Sequence, residues 1–411
     1  MNASAHDADD GASPSAAVTA TVLAVSSLTI LANATIAPAL PGLSAAFTDV
    51  PGIEGLAGLA LSLPSLSIVL SAALFGWLAD RVDPLRLLIA SMVGYALAGA
   101  SGAVAPTIGT VLVGRFALGF GVAGTMTVAT LLAATLWSGP ARARFMGRQF
   151  AATSLVGMVL LVCAGLLAET SWRAPFLIYL VALAVAWPAW AVLRGKVGAR
   201  DPDAPGSAPV AFPWPAFARV GGLACFTMLA FYLVPTRLPF HLLAIDAGGP
   251  SAAGLAMAAV TLAGIPGSLA FGRIRARFEP APIAAACFAI MAAGFAAISH
   301  APGFAVVVVG SLLVGLGLGP SIPNLMAWLV ASVPEGARGR ASGLFTMAIF
   351  GGQFLSPIIG QAVAGQVGLA RTFDVFAAAL LLAAVTLFAL GHRAGPVGAV
   401  GSAPAAAGED R

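Results

Sequence analysis

The sequence predicts an all-α integral membrane protein, with 12 transmembrane helices in two pseudo-symmetric six-helix bundles. Three observations predict it. Of the 411 residues, 59% are hydrophobic and only 9% are charged, against about a quarter charged in an ordinary soluble chain, so the apolar excess must face lipid. Apolar runs near the roughly 20 residues that cross a bilayer recur twelve times. The basic residues lie almost entirely between those runs and alternate in density from one connection to the next.

In chain order, residues 1–16 carry Asp7, Asp9 and Asp10 but no Lys or Arg. They read as a disordered cytosolic tail, because a signal peptide opens on positive charge. Spans follow near 17–40, 57–79, 85–105, 108–132, 145–168 and 174–193, which make an N-terminal six-helix bundle over 17–193. Residues 194–213 mix Arg194, Lys196, Arg200, Asp201 and Asp203 with Pro, Gly and Ser, the composition of a cytosolic linker. The second bundle, over 214–392, has spans near 216–241, 251–271, 281–300, 304–331, 341–365 and 372–391. Residues 393–411 form a second disordered cytosolic tail.

With the N-terminus inside, the even-numbered loops, linker and C-terminal tail hold 16 of the 20 Lys and Arg, while the other side holds Arg173, Arg237 and Arg371. This asymmetry predicts that both termini face the cytosol of a bacterial-type inner membrane. The +4 net charge therefore reports topology and points to no nucleic acid. An internal repeat marks the same division. Ala141, Arg142, Ala143, Arg144 and Gly147 recur 196 residues later as Ala337, Arg338, Gly339, Arg340 and Gly343, and the same offset carries Gly76 and Arg81 onto Gly272 and Arg277. Two such halves are the arrangement of a transporter whose site lies between them near the midplane.

Chemistry-bearing residues are few. His6, His241, His300 and His392 are scattered, and Cys163, Cys225 and Cys287 each sit in an apolar run with no close partner. Neither set makes a metal or catalytic cluster, so no cofactor and no enzyme is expected. The only Lys, Lys196, follows Gly195 but belongs to no phosphate-binding loop, which removes ATP as the direct energy source. The short tails leave no room for the output domain of a membrane sensor, the reading from a different class.

The second connection runs Gly76-Trp77-Leu78-Ala79-Asp80-Arg81-Val82-Asp83-Pro84-Leu85-Arg86. Gly76 would let two helix backbones approach. Asp80 sits at a helix C-terminus, where the macrodipole disfavours an anion, so it should seek an Arg or the N-terminus of another helix. In the fourth span, Gly114-Arg115-Phe116-Ala117-Leu118-Gly119-Phe120-Gly121 places Arg115 about 10 Å from the span end, and a buried cation usually faces a cavity or a partner. The polar residues Asn33, Tyr232, Asn324 and Gln353 also lie within spans, Gln353 near the midplane. Pro235 and Pro239 should kink the seventh helix.

These motifs resemble those of the major facilitator superfamily, especially its drug/proton antiporter and sugar-efflux branches. The family's loop signature is Gly, three residues, Asp, Arg or Lys, one residue, Gly, then basic residues. Gly76, Asp80, Arg81 and Arg86 match it, while Asp83 stands where a second Gly is usual. In the second half Gly272 and Arg277 match and Ala276 replaces the acid. The fourth span is similar to the family's Arg, three residues, Gly, one residue, Gly pattern, with Leu118 in place of a frequent Gln. The fifth span lacks the Gly-Pro pair usual in drug antiporters and offers Gly157 and Gly165 instead, whose spacing suits a close helix contact.

The resemblance implies a monomeric secondary transporter working by alternating access, with gating at Gly76, Asp80 and Arg81. The expected task is export of a small organic solute or drug, with protons as a candidate coupled species. Many proton antiporters of the family use an acid in the first or fourth span. None occurs here: Asp49, Glu54 and Glu169 lie near outer span ends, leaving His241, Asp246 and Asp374 as candidates. Arg115 then has no evident carboxylate partner, so a small anion centred on Arg115 is the alternative substrate.

Overall fold

The computed structural model describes residues 14–195 and 211–393, and among these every regular element is helical. Both expected tails lie almost entirely outside the described residues, as does most of the linker. The chain runs through α1 (Ala16–Ala34), α2 (Leu40–Ala46), α3 (Ile53–Ala79), α4 (Pro84–Ala100), α5 (Ile108–Leu136), α6 (Gly139–Thr170) and α7 (Val181–Leu193). The second half holds α8 (Trp214–Phe231), α9 (Leu233–Ala244), α10 (Pro250–Arg275), α11 (Pro280–Ser299), α12 (Phe304–Ala331), α13 (Arg338–Val367) and α14 (Leu369–Arg393). Eleven segments are long and apolar enough to cross a membrane, and the shorter apolar helix at Ala16–Thr29 makes the twelfth.

Two expected spans are broken. The first ends at Ala34 and not near residue 40, continuing as a 3-10 turn over Ala37–Ala39 and then α2. Pro38 and Pro41 fall there, and neither can donate the backbone bond that would extend α1. The seventh breaks at Tyr232, between α8 and α9. Pro235, three residues on, has no N–H for the carbonyl of Phe231, so the expected kink occurs at the residue whose side chain matters most for the site described below.

Within the first half, α5 packs against α1, α3 and α4, and within the second, α12 packs against α8, α10 and α11. Glycines make this possible. A Cβ at Gly121 would stand 2.6 Å from Tyr95 N of α4, and one at Gly119 would stand 2.5 Å from Pro64 O of α3. The 196-residue offset carries this pair onto Gly315 and Gly317, where a Cβ at Gly317 would stand 2.5 Å from Cys287 O of α11. The repeat thus extends from the loops into the cores of both halves.

The halves meet along two seams, α6 against α10 and α3 against α13. Each seam is tight at one end only. Spanning helices alternate in direction, so the arginine-rich loops share one face of the molecule and the remaining loops share the opposite face. At the opposite face, Gly165 and Gly254 meet backbone to backbone, since a Cβ at Gly254 would stand 2.6 Å from Leu161 O. In the other seam a Cβ at Gly58 would stand 3.0 Å from Pro357 Cβ. At the arginine-rich face a Cβ at Gly76, Gly147, Gly272 or Gly343 would meet nothing within 4 Å.

Candidate functional site

Between the halves lies a cavity of about 910 Å³, large enough for a drug-sized molecule. Its wall reaches Gly147, Leu269 and Phe345, each within about two turns of the arginine-rich end of its helix. It stops where the seams close. The cavity therefore opens to the arginine-rich face and is sealed from the opposite one.

The wall is apolar for the most part, with Met126, Met228, Met257 and Met326 beside Phe231 and Phe350. Among the described residues no Asp, Glu, Lys, Arg or His lines it. Thr29, Thr35, Ser154, Thr261, Ser268 and Thr346 add hydroxyls to it, and a polar contact joins the two halves: Ser65 Oγ of α3, behind the wall, donates to Gln353 Oε1 of α13 at 2.9 Å, and Ser65 also shares a side-chain hydrogen bond with Tyr232. Gln353 Nε2 contacts the sulfur of Met228 at 3.7 Å. Gln353 and Tyr232, both expected to serve the site, are thus brought together on its wall. Ser65 was not expected, because a Ser in an apolar helix ordinarily bonds its own helix and gives no separate signal. Asn33 lies in α1, and its side chain falls outside the described residues.

Arg115 is elsewhere. It is 1% exposed and does not line the cavity. Its Nε donates to Ala60 O at 2.7 Å, one terminal nitrogen to Tyr179 Oη at 2.6 Å and the other to Ala32 O at 2.6 Å. Both carbonyls are available for a local reason. Pro64, inside α3, has no N–H to give Ala60 O, and Ala32 lies in the last turn of α1, whose carbonyls lack helical donors. The negative end of α1 then supplies the countercharge expected from a carboxylate or a substrate anion. Gly119 lets α5 approach α3 closely enough for this reach, so Arg115 ties α1, α3, α5 and the turn before α7 together.

The same device recurs in the second half. Pro323 frees Gly319 O, and Ser268 Oγ of α10 donates to it at 2.7 Å. The position 196 residues beyond Arg115 is Ser311, also fully buried.

The other expected site residues lie away from the cavity. Asn324 is buried and donates to Pro280 O at 2.9 Å, tying α12 to the start of α11. His241 Nε2 is 2.8 Å from Ile298 O, with its ring against Phe373. Asp246 is exposed in the connection after α9 with φ 52°, and Asp374 pairs with His300 at 3.2 Å. Arg237, counted from sequence among the loop cations, is instead 2% exposed inside α9, where it donates to Gln361 of α13.

The gating motif is disengaged. Gly76 and Gly272 touch no other helix, and among the described residues Asp80 has no hydrogen bond or ion pair, contrary to the partner expected for it. The seams are open at this face, where a Cβ at Gly76 or Gly272 would meet nothing within 4 Å. Arg81 stacks on Trp77 with its guanidinium 4.2 Å from the ring centroid, and Arg86 lies 3.7 Å from Asp83. Asp83, the departure from the usual Gly, caps α4 by accepting Leu85 N–H at 2.9 Å. Arg277, at the end of α10, is exposed.

Residues 22–248 and 220–407 each match the model of the Major Facilitator Superfamily. The chain belongs to that superfamily. No curated protein sequence matches it. Among solved structures it is similar to a bacterial homolog of the human lysosomal transporter Spinster in an inward-facing and occupied conformation, with TM-score 0.73 and 16% identity over 91% of this chain and 96% of the other. It is also similar to the POT family transporter PepTSo, with TM-score 0.74 and 12% identity over 92% and 98%. The D-xylose-proton symporter gives TM-score 0.71 and 15% identity over 90% and 97%. At these identities the likeness is one of fold. The superfamily chain is a multi-pass membrane transporter, not an enzyme.

Proposed function

We propose that this superfamily member is a monomeric secondary transporter that works by alternating access and exports a small, largely apolar organic solute across a bacterial-type inner membrane. The N- and C-termini and the open face are cytoplasmic in this reading. One observation carries it: among the described residues the wall of the cavity between the halves holds no charged side chain, and its polar groups are hydroxyls and the Gln353 amide, which is bonded across the halves to Ser65. An ion entering such a site would give up its hydration without a counterion, so an uncharged solute with one or two hydrogen-bonding groups fits best. The alternative of an anion centred on Arg115 loses its support, because that guanidinium is already engaged by carbonyls away from the wall. The gating motif's likeness to the efflux branches supports export, and the arginine-rich open face supports the orientation.

Flux of radiolabelled drugs, sugars and organic acids, offered one at a time to proteoliposomes, tests the reading. The expected result is protein-dependent movement of uncharged apolar compounds, reduced roughly fivefold by Gln353→Ala, the worth of about 1 kcal/mol of hydrogen bonding. Movement of organic acids alone, unaffected by Gln353→Ala, would overturn it.

A further inference from the structure

The cavity wall holds no group that titrates near neutral pH, yet the closed face is held by one that can take a proton. Glu169, in the last turn of α6, reaches across the seam between the halves. Its Oε1 accepts the backbone N–H of Ser251 at 3.0 Å and the Ser251 hydroxyl at 2.7 Å. Ser251 is the second residue of α10, so its N–H has no acceptor within the helix and sits at the positive end of the macrodipole. One turn deeper, Gly165 and Gly254 press backbone to backbone. The two bonds of Glu169 can exist only while that contact is made, that is, while this face is shut.

We propose that Glu169 is a proton-operated latch on the closed face: ionised, it holds α10 of the second half against α6 of the first, and protonated, it releases them. The carboxylate is exposed and takes its proton from the solvent on its own side. A neutral carboxyl loses its charge attraction to the helix terminus and keeps only weaker neutral hydrogen bonds to Ser251. The proton returns to the side from which it came, so the latch sets the rate of opening without carrying protons across. The inference rests on the alternating-access reading and adds its regulation.

The charged surroundings of Glu169 are sparse. Of the elements packed against α6, α1 and the short turn at Ala37–Ala39 carry no charge, and α5 carries Arg115, engaged as described. Arg173, at the start of the turn before α7, gives its guanidinium to Ala105 O at 3.1 Å and stacks on Trp172. The cations of α10, Arg273 and Arg275, lie at its far end. On α9, which packs against α10, Arg237 and His241 are buried, and Asp246 stands exposed in the connection between them. Among the described residues Ser251 is therefore the only direct partner of Glu169.

The test is the distance between spin labels at Ser171→Cys and Leu243→Cys, in a full-length background with Cys163, Cys225 and Cys287 replaced by Ala, reconstituted in lipid nanodiscs. As pH falls from about 7 to 3, through and below the ordinary carboxyl range, the long-distance population of the parent should rise on the order of fivefold. Glu169→Gln should show the raised population at every pH, and Ser251→Ala should weaken the response. A parent with no pH response, or a Glu169→Gln variant that keeps the full one, would overturn the latch. Since no solute enters the measurement, a pH-driven change in distance without flux of any compound would sink the transport reading and leave the latch standing.

Discussion

Helix α3 presents the same residue type to two different worlds. Near one end Gly58 lies against Pro357 of the opposite half, and near the other end Gly76 faces open space. The pattern repeats on α6, where Gly165 is pressed onto Gly254 while Gly147 is free, and on α10, where Gly254 is packed and Gly272 is not. Small residues at both ends of the same seams allow close approach at either face, but rigid halves cannot close both at once. The sealed end then shows what the open end becomes when the molecule rocks.

The largest effect should come from the residue that belongs to neither end. Arg115→Leu would leave Ala60 O buried without a donor and Ala32 O with Tyr179 Oη alone, at a cost of about 2 to 3 kcal/mol. Thermal unfolding in detergent should move down by several degrees, and labelling at both faces should change together. A variant as stable as the parent that fails only in transport would return Arg115 to the substrate.

Gly254→Leu strikes the sealed end alone. Overpacking there costs about 1 to 3 kcal/mol, enough to shift the balance of conformations by up to roughly a hundredfold. Transport should fall accordingly, with the spin labels at Ser171 and Leu243 held apart at all pH values. Retained transport would mean that this contact does not have to form in the cycle. Gly76→Leu probes the open end and should do the reverse. Its side chain meets open space here, so stability should hold within about 0.5 kcal/mol, while closure of the arginine-rich face and with it transport fall on the order of tenfold.

Much of this comparison was legible in the sequence, and what was hidden had a physical reason. Hydropathy placed the twelve spans because lipid imposes length and composition on each. The burial of Arg115 was readable, and so was the place of Gln353 half-way along its helix. The partners of Arg115 were not legible, because backbone carbonyls carry no residue label. Pro64, four residues after Ala60, and Pro38, just past the end of α1, were the available signals. Arg237 looked like a loop cation because a charge near a span end reads the same whether it snorkels or is buried. The direction in which the cavity opens was beyond the sequence altogether, since the glycines at the two ends are alike in type and differ only in what they meet.

The smallest effect expected is also the most discriminating. Asp80 has no partner among the described residues, so Asp80→Asn should leave thermal stability within about 0.5 kcal/mol of the parent in this conformation. If the open face closes as the sealed one has, Asp80 approaches the opposite half and its charge becomes useful only then, as Glu169 is useful now. Asn keeps the hydrogen-bonding shape and loses the charge, so the substitution should weaken closure of the arginine-rich face by the worth of one ion–dipole contact, about threefold to fivefold. The sign separates the two ends: Asp80→Asn should favour the conformation described here, and Glu169→Gln should disfavour it. Opposite shifts in the same spin-label distance would show that each face has its own carboxylate latch, whereas shifts of the same sign would mean that the two ends are not alternatives of one motion.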